Sequence, residues 1–289
     1  MRKCTASMHL PVSLIDEWIR EDIPFIDLTT TILGIADKPA KAHIVLREKA
    51  VICGLQEASA VYRRLGAEVE NEAPEGTWGE PGQEIMTLRG NGGQLHAGWR
   101  VAQTLISIGS GVATYTRLMV EKAKKVNPRV IIAVARKAPP GLRHLYYHCV
   151  LCGGATLHRI GISDTILVFP NHTRLSKGID KVIERIKETR PLIGERQVVI
   201  EVNGLDEALK AARSGVVDEV QLDHVEPDEL REIITKIRKA NNNIRIAVGG
   251  GITLKNIEEY VATGVDVIVT SAPFWARPID LTTRMEGLD

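Results

Sequence analysis

Six short apolar runs in the second half of the chain each end in residues able to do chemistry. Residues 130–135 lead into Arg136-Lys137 and a rigid Pro139-Pro140-Gly141 turn, and residues 165–169 lead into Asn171-His172. Residues 198–202 carry Glu201, and residues 219–223 end in Asp223, with His224 next. Residues 244–248 are followed by Gly249-Gly250-Gly251, and residues 265–270 end in Thr270, with Ser271 next. A guanidinium beside an ammonium suits carboxylate or phosphate oxygens, the guanidinium acting as a two-pronged donor. The glycine triplet precedes an expected helix capped by Thr253, so bare N–H groups and a helix N-terminus would face a phosphate together. Thr270 and Ser271, at the neighbouring strand end, add hydroxyl and N–H donors to that phosphate site. Glu201 and Asp223 end successive runs, which lets their carboxylates converge. Facing a phosphate, such a pair suits Mg2+, held directly or indirectly. General acid–base work, and service as buried partners for Arg136 or Lys137, stay open beside it.

Residues 136–177 form a local basic patch in a neutral chain. Arg136, Lys137, Arg143, Arg159, Arg174 and Lys177 stand against Asp164 as the single acid, with His144, His148, His158 and His172 among them. A solvated helix face is the bland reading of such a patch. Arg136 and Lys137 escape it best, because they directly follow an apolar strand and precede a stiff turn. Cys149-x-x-Cys152 admits redox or zinc chemistry, but no second pair completes a zinc site, and the surrounding stretch is apolar. Core packing is the expectation there. His144 and His148, one helical turn apart, admit metal chelation; surface placement is expected instead.

These residues need elements to hold them. The apolar runs alternate with stretches long enough for helices, at 142–152, 179–190, 205–214, 227–240 and 254–263. Near-continuously apolar strands alternating with helices argue for a parallel sheet buried on both faces. The unit repeats six times, which favours a barrel, incomplete if six is all, with its active site at the C-terminal strand ends. A doubly wound open sheet is second, and no GxGxxG supports it. The first half follows another rhythm: a helix at 13–21, strands at 42–48 and 50–54, a helix at 56–65, a turn at 74–82 and a strand at 83–89. A long helix over 95–108 is expected to close at Ser110-Gly111. The implied division is an α+β domain over 1–111, an α/β barrel over 112–272, and a tail, 273–289, packing on the first domain.

Composition narrows the function classes. The chain has 289 residues, 44% hydrophobic and 25% charged, which excludes disorder and collagen-like readings. Lys+Arg 37 against Asp+Glu 36 leaves +1, and aromatics are 4%, so neither nucleic acid nor an anionic membrane is an expected partner. The apolar runs fall far short of the about 20 residues that a membrane helix needs. Asp16, Glu17, Arg20, Glu21 and Asp22 break up the N-terminal stretch, which does not read as a signal peptide. Cys4, Cys53, Cys149 and Cys152 are too few for a disulfide scaffold, and a cytoplasmic protein is expected.

The same residues resemble the quinolinate phosphoribosyltransferase family, also called nicotinate-nucleotide pyrophosphorylase. The similar stretches, in family order, begin with Glu21-Asp22, Asp27-Leu28-Thr29-Thr30 and Ser110-Gly111-Val112-Ala113-Thr114. Arg136-Lys137 with Pro139-Pro140-Gly141-Leu142-Arg143, then Gly153-Gly154, His158-Arg159 and Asn171-His172, come next. Leu222-Asp223, Gly250-Gly251-Ile252 and Gly264-Val265-Asp266 complete the set. Residues 95–103 and 167–172 look more like one branch, the ModD branch associated with molybdenum transport.

The resemblance implies an N-terminal α/β sandwich domain and an open, incomplete (β/α) barrel of the type II phosphoribosyltransferase kind, in a homodimer. It implies Mg2+-dependent transfer from phosphoribosyl pyrophosphate (PRPP) to a quinolinate-like carboxylated N-heterocycle, giving nicotinate mononucleotide and CO2 if the acceptor is quinolinate. Arg136, Lys137, His158 and Arg159 then hold the acceptor's acid groups, with Arg100 supplied by the partner subunit. Glu201, Asp223 and Lys137 become the catalytic residues, the two acids standing at the ribose and metal–pyrophosphate end. Gly249, Gly250, Gly251, Thr270 and Ser271 take the 5′-phosphate. The chain departs from the family pattern in three places: Phe169-Pro170 stand for Lys-Asp, Gly249 for Ser, and His224 for Asn. The missing lysine removes a charge-assisted hydrogen bond worth about 1.5–3 kcal/mol. Two other classes are weaker. A sugar-phosphate aldolase needs an isolated lysine, and Lys137 adjoins Arg136. A non-catalytic anion or nucleotide sensor linked to molybdate uptake has no use for both Glu201 and Asp223.

Overall fold

The computed structural model describes residues 8–288; Cys4 lies outside them. In chain order the elements begin with α1 (Val12–Asp22), α2 (Leu28–Ile32), β1 (Pro39–Leu46), β2 (Ala50–Val51) and α3 (Leu55–Arg64). β3 (Glu68–Glu72), β4 (Trp78–Gly79), β5 (Glu84–Asn91) and α4 (Gly92–Val126) follow. Then come β6 (Ile131–Val134), α5 (Arg143–Gly153), β7 (Thr156–Leu157), β8 (Ile166–Val168), α6 (Pro170–Leu175) and α7 (Ile179–Ile193). β9 (Val198–Val202), α8 (Leu205–Arg213), β10 (Glu219–Asp223), α9 (Pro227–Ala240) and β11 (Arg245–Gly249) come next. α10 (Ile257–Val261), β12 (Val267–Thr270) and β13 (Leu281–Gly287) end the chain order. Two compact units result. One takes the chain up to Arg117, Ala138–Gly154 and the residues from Pro273 on; the other takes Leu118–Lys137 and Ala155–Ala272.

In the first unit an antiparallel sheet runs β13-β1-β5-β3. Ala42, Ile44 and Leu46 of β1 and Met86 and Leu88 of β5 share a core with Leu55, Ala58 and Tyr62 of α3 and Leu95, Ala102 and Ile106 of α4. Each large aliphatic side chain buried there stabilises the unit by about 1.5–3 kcal/mol. α4 does not close at Ser110-Gly111 as expected but runs on to Val126. The pair is a packing notch inside the helix. Ser110 Oγ donates to the Cys53 carbonyl at 2.9 Å and accepts the Cys53 N–H at 3.0 Å. A Cβ on Gly111 would lie 2.3 Å from the Arg277 carbonyl oxygen. Expected surface placement of His144 and His148 is also corrected. His148 is 1% exposed and its side chain is paired with Glu57, while His144 is half-buried. α5 is buried almost throughout, and Cys149 and Cys152 sit in it as the core residues expected.

The second unit is a seven-stranded sheet in the order β7-β6-β12-β11-β10-β9-β8, every pair parallel. β8 to β12 follow one another, and β6 lies beside β12. The sheet curls without closing between β7 and β8, a half-barrel. Ala133, Ala247, Val267 and Val269 pack together within it. α7, α8 and α9 each bury one stripe, such as Leu230, Ile233, Ile234 and Ile237 of α9. All six expected strands are present, with β7 as a short addition. α10 is shorter than expected and begins after Asn256 rather than at Thr253. Asn256 Oδ1 accepts the Thr253 N–H at 2.8 Å and Thr253 Oγ1 accepts the Lys255 N–H at 3.2 Å, so these residues form a turn ahead of the helix. Among the described residues no helix is long and apolar enough to cross a membrane.

Candidate active site

Glu201 of β9 and Gln221 of β10 are register partners, and Gln221 Nε2 donates to Glu201 Oε2 at 2.7 Å. Asp223 follows Gln221 by two residues, on the same face of the strand. Burial, and then the charge of Asp223, raise the Glu201 carboxyl above its usual range; the Gln221 hydrogen bond and the charges of His158 and Lys137 pull the other way. Glu201, Asp223, His158 and Lys137 thus share one electrostatic neighbourhood. Its centre is a pair of carboxylates in which the charge of Asp223 opposes ionisation of Glu201, a donor set that suits a hard cation.

The other cationic side chains expected at the site stand after β6 and β7. Arg136 is half-buried, and its Nε is buried without a hydrogen-bond partner, whereas Lys137 is exposed. The His158 N–H donates to the Val134 carbonyl at 3.0 Å, and its ring Nε2 lies 3.9 Å from the buried Glu219 carboxylate. The Arg159 guanidinium lies 5.6 Å from the centre of the Phe169 ring, within reach of a cation–π contact. Phe169 in turn stacks on His172 at 6.0 Å, and its N–H donates to His172 Nδ1 at 2.9 Å. An aromatic ring therefore lies against one of the side chains expected to bind an anion. Among the expected site residues only Arg100 belongs to the first unit, exposed on α4 with its guanidinium 5.1 Å from the Trp99 ring centre.

Gly249 ends β11 opposite Asp223. Gly250 has φ +90°, and a Cβ there would lie 2.6 Å from the backbone nitrogen of His224. His224 itself adopts φ 55° and donates its N–H to the Gly249 carbonyl at 3.0 Å. Two chain segments cross here too closely for any side chain. The Thr270 hydroxyl is committed to the loop: it donates to the Ile252 carbonyl at 2.7 Å and accepts the Ala272 N–H at 3.0 Å. Thr270 thus ties the glycine loop to the end of β12, where Ser271 is half-buried.

Gln221 and Glu219 escaped the sequence reading. Glu219 is 4% exposed and faces Arg245 Nη1 at 3.6 Å. Their signal was a polar row at strand period, Glu219, Gln221 and Asp223, inside an otherwise apolar run.

Comparisons with known proteins point to one family. Family models described as quinolinate phosphoribosyl transferase, N-terminal and C-terminal domain, match residues 27–110 and 112–284. The ModD protein of Pasteurella multocida is 31% identical over 275 residues, covering 94% of this chain and 96% of that one. A protein of Methanothermobacter thermautotrophicus, named as a carboxylating nicotinate-nucleotide pyrophosphorylase, is 31% identical over 283 residues, covering 96% and 99%. The solved nicotinate-nucleotide pyrophosphorylase from Francisella tularensis superposes with a TM-score of 0.87 at 26% identity, covering 99% of this chain and 100% of that one.

Proposed function

The chain belongs to the quinolinate phosphoribosyltransferase family, and we propose that it transfers phosphoribosyl from PRPP to a ring nitrogen of a carboxylated N-heterocycle. The observation that carries this is the sharing of one neighbourhood by Glu201, Asp223, His158 and Lys137 at the C-terminal strand ends, with the glycine loop opposite Asp223. The backbone N–H groups of Gly249, Gly250 and Gly251 receive the 5′-phosphate, on a loop held by Thr270 beside Ser271. Arg136, Lys137, His158 and Arg159 hold the acceptor's acid group, joined by Arg100 from the partner subunit of a homodimer. The nitrogen lone pair forms a bond to the ribose C1 as the bond from C1 to the pyrophosphate oxygen breaks. Glu201 and Asp223 stabilise the positive character that C1 gains in between.

Mg2+ fits the opposed carboxylates of Glu201 and Asp223, which would hold it directly or through water, and when bound it would neutralise charge on the leaving pyrophosphate. With quinolinate as acceptor, the carboxylate next to the ring nitrogen leaves as CO2. Its bonding electrons stay on the ring carbon, which takes up a proton and yields nicotinate mononucleotide.

A second reading concerns the acceptor alone. Phe169 stands where the family pattern has a lysine and covers Arg159, which favours an acceptor with fewer carboxylates than quinolinate. The deciding assay is pyrophosphate release from Mg-PRPP with quinolinate, with nicotinate or with neither, followed by chromatography of the nucleotide. Quinolinate-dependent release with nicotinate mononucleotide formed supports the first reading, and release with nicotinate alone supports the second. Folded protein that releases no pyrophosphate with any acceptor of a broad heterocycle panel would overturn both.

A further inference from the structure

Among the described residues, the second unit buries two polar side-chain atoms that no protein group satisfies, Arg136 Nε and Gln221 Oε1. Folded proteins rarely leave such an atom unpaired, because water has been removed and nothing has replaced it. Arg136 already has a proposed partner in the acceptor's acid group; Gln221 has none. Gln221 is 4% exposed, in the middle of β10. Its Nε2 is committed to Glu201 Oε2 at 2.7 Å. An ionised carboxylate only accepts, so the amide turns its NH2 toward Glu201 and its carbonyl oxygen away. Side chains alternate along a strand, which puts Gln221 on one face with Asp223 after it and Glu219 before it. Glu219 in turn lies 3.9 Å from His158 Nε2. Along β10, Gln221 thus stands between Asp223, at the ribose end of the proposed site, and the residue that faces His158, which belongs to the acceptor end.

The missing partner of Gln221 is an N–H or O–H, and the substrates of the proposed reaction offer few. Phosphate and pyrophosphate oxygens accept. Quinolinate, with ionised carboxylates and a bare ring nitrogen, only accepts as well. The ribose hydroxyls donate, and Glu201 and Asp223 are the carboxylates at that end to receive them. On the phosphoribosyl-transfer reading, we propose that Gln221 is a specificity-determining residue: its carbonyl accepts a hydrogen bond from an amino or hydroxyl group that the acceptor heterocycle carries besides its acid group. Such an acceptor satisfies Arg136 with its acid and Gln221 with its donor. It also needs fewer carboxylates than quinolinate, in keeping with the Phe169 ring that lies against Arg159. A pocket that buries a carbonyl for a substrate N–H or O–H rejects the analogue lacking it, because the carbonyl is then left dry and unpaired.

The test titrates acceptors into the full chain by calorimetry, so that the readout does not depend on turnover. The probes are nicotinates carrying an amino or a hydroxyl group at each open ring position in turn. Each is paired with its methyl counterpart, which has a similar shape and no donor. At one position the donor compound should bind the wild type about tenfold or more tighter than the methyl compound. Gln221→Met should bring that ratio close to one. The ratio reads the carbonyl alone, because losing the bond to Glu201 weakens both members of a pair alike. Equal binding of the pair at every position by folded wild type would overturn the proposal, and so would a ratio that Gln221→Met leaves unchanged. A Gln221→Met defect confined to PRPP binding would put the donor on the ribose and overturn it too. If Gln221→Met does not fold, the wild-type ratios decide the matter. Pyrophosphate release from Mg-PRPP separates the two readings. Release without any preference for a donor compound sinks the role of Gln221 alone, whereas neither release nor acceptor binding sinks the phosphoribosyl-transfer reading with it.

Discussion

Glu201 is half-buried beside Asp223, and both circumstances favour its protonated form. A carboxyl whose pKa is higher folded than unfolded lowers stability once ionised; that cost is full above the folded pKa and gone below the unfolded one. Glu201→Gln should therefore melt at or above the wild-type temperature at pH 7, an advantage that shrinks as pH falls through the raised Glu201 pKa. Its turnover should drop by about 100-fold or more. Thermal melts across pH and a steady-state assay check the two halves separately, and near-wild-type turnover would remove Glu201 from the mechanism. Much of this site was legible in the sequence. Arg136, Lys137 and Asp223 directly follow or end β-branched runs, Glu201 stands one residue from the end of its own, and C-terminal ends of parallel strands face one way. Gln221 was hidden inside its run. The role of His148 was illegible for another reason: its partner Glu57 lies far away in the chain, and burial by a distant helix leaves no local mark.

Among the elements, β9 to β12 were readable because strands covered on both faces are apolar throughout. β3, with the sequence Glu-Val-Glu-Asn-Glu, was not. Its exposed residues carry no apolar period, and it is a strand because β5 pairs with it. α4 was readable in type but not in length, since a Ser-Gly pair ends many helices yet here admits two close backbones. Two glycine substitutions should separate packing from function. Gly111→Ala drives a methyl onto the Arg277 carbonyl and should cost about 1–3 kcal/mol in a denaturant melt, with an unchanged KM for PRPP. Gly250→Ala meets His224 and should instead raise the KM for PRPP by about tenfold or more, as charge-assisted hydrogen bonds from the loop are misplaced. Equal effects of both on KM would argue against a phosphate-binding role for the glycine loop.

At the scale of the whole molecule, the proposed homodimer makes a mixing experiment informative. Arg100→Ala and Asp223→Asn should each be nearly inactive alone. Dissociated, mixed and reassociated, they should recover about a quarter of wild-type activity, because half of the dimers are mixed and each carries one intact site. No recovery in mixed dimers verified by mass would place Arg100 in its own subunit's site, or in none. The chain's route also bears on how the protein is made. Val45 of β1 pairs with Thr282 of β13. At about 5–20 residues per second, a ribosome needs on the order of tens of seconds to deliver that partner after β1 emerges. For that interval β1 exposes an unpaired strand edge, a template for other nascent chains. Crowded, rapid overexpression should find this protein at its most aggregation-prone before any substrate site exists, and slower synthesis or a chaperone that covers the edge of β1 is the remedy its topology calls for.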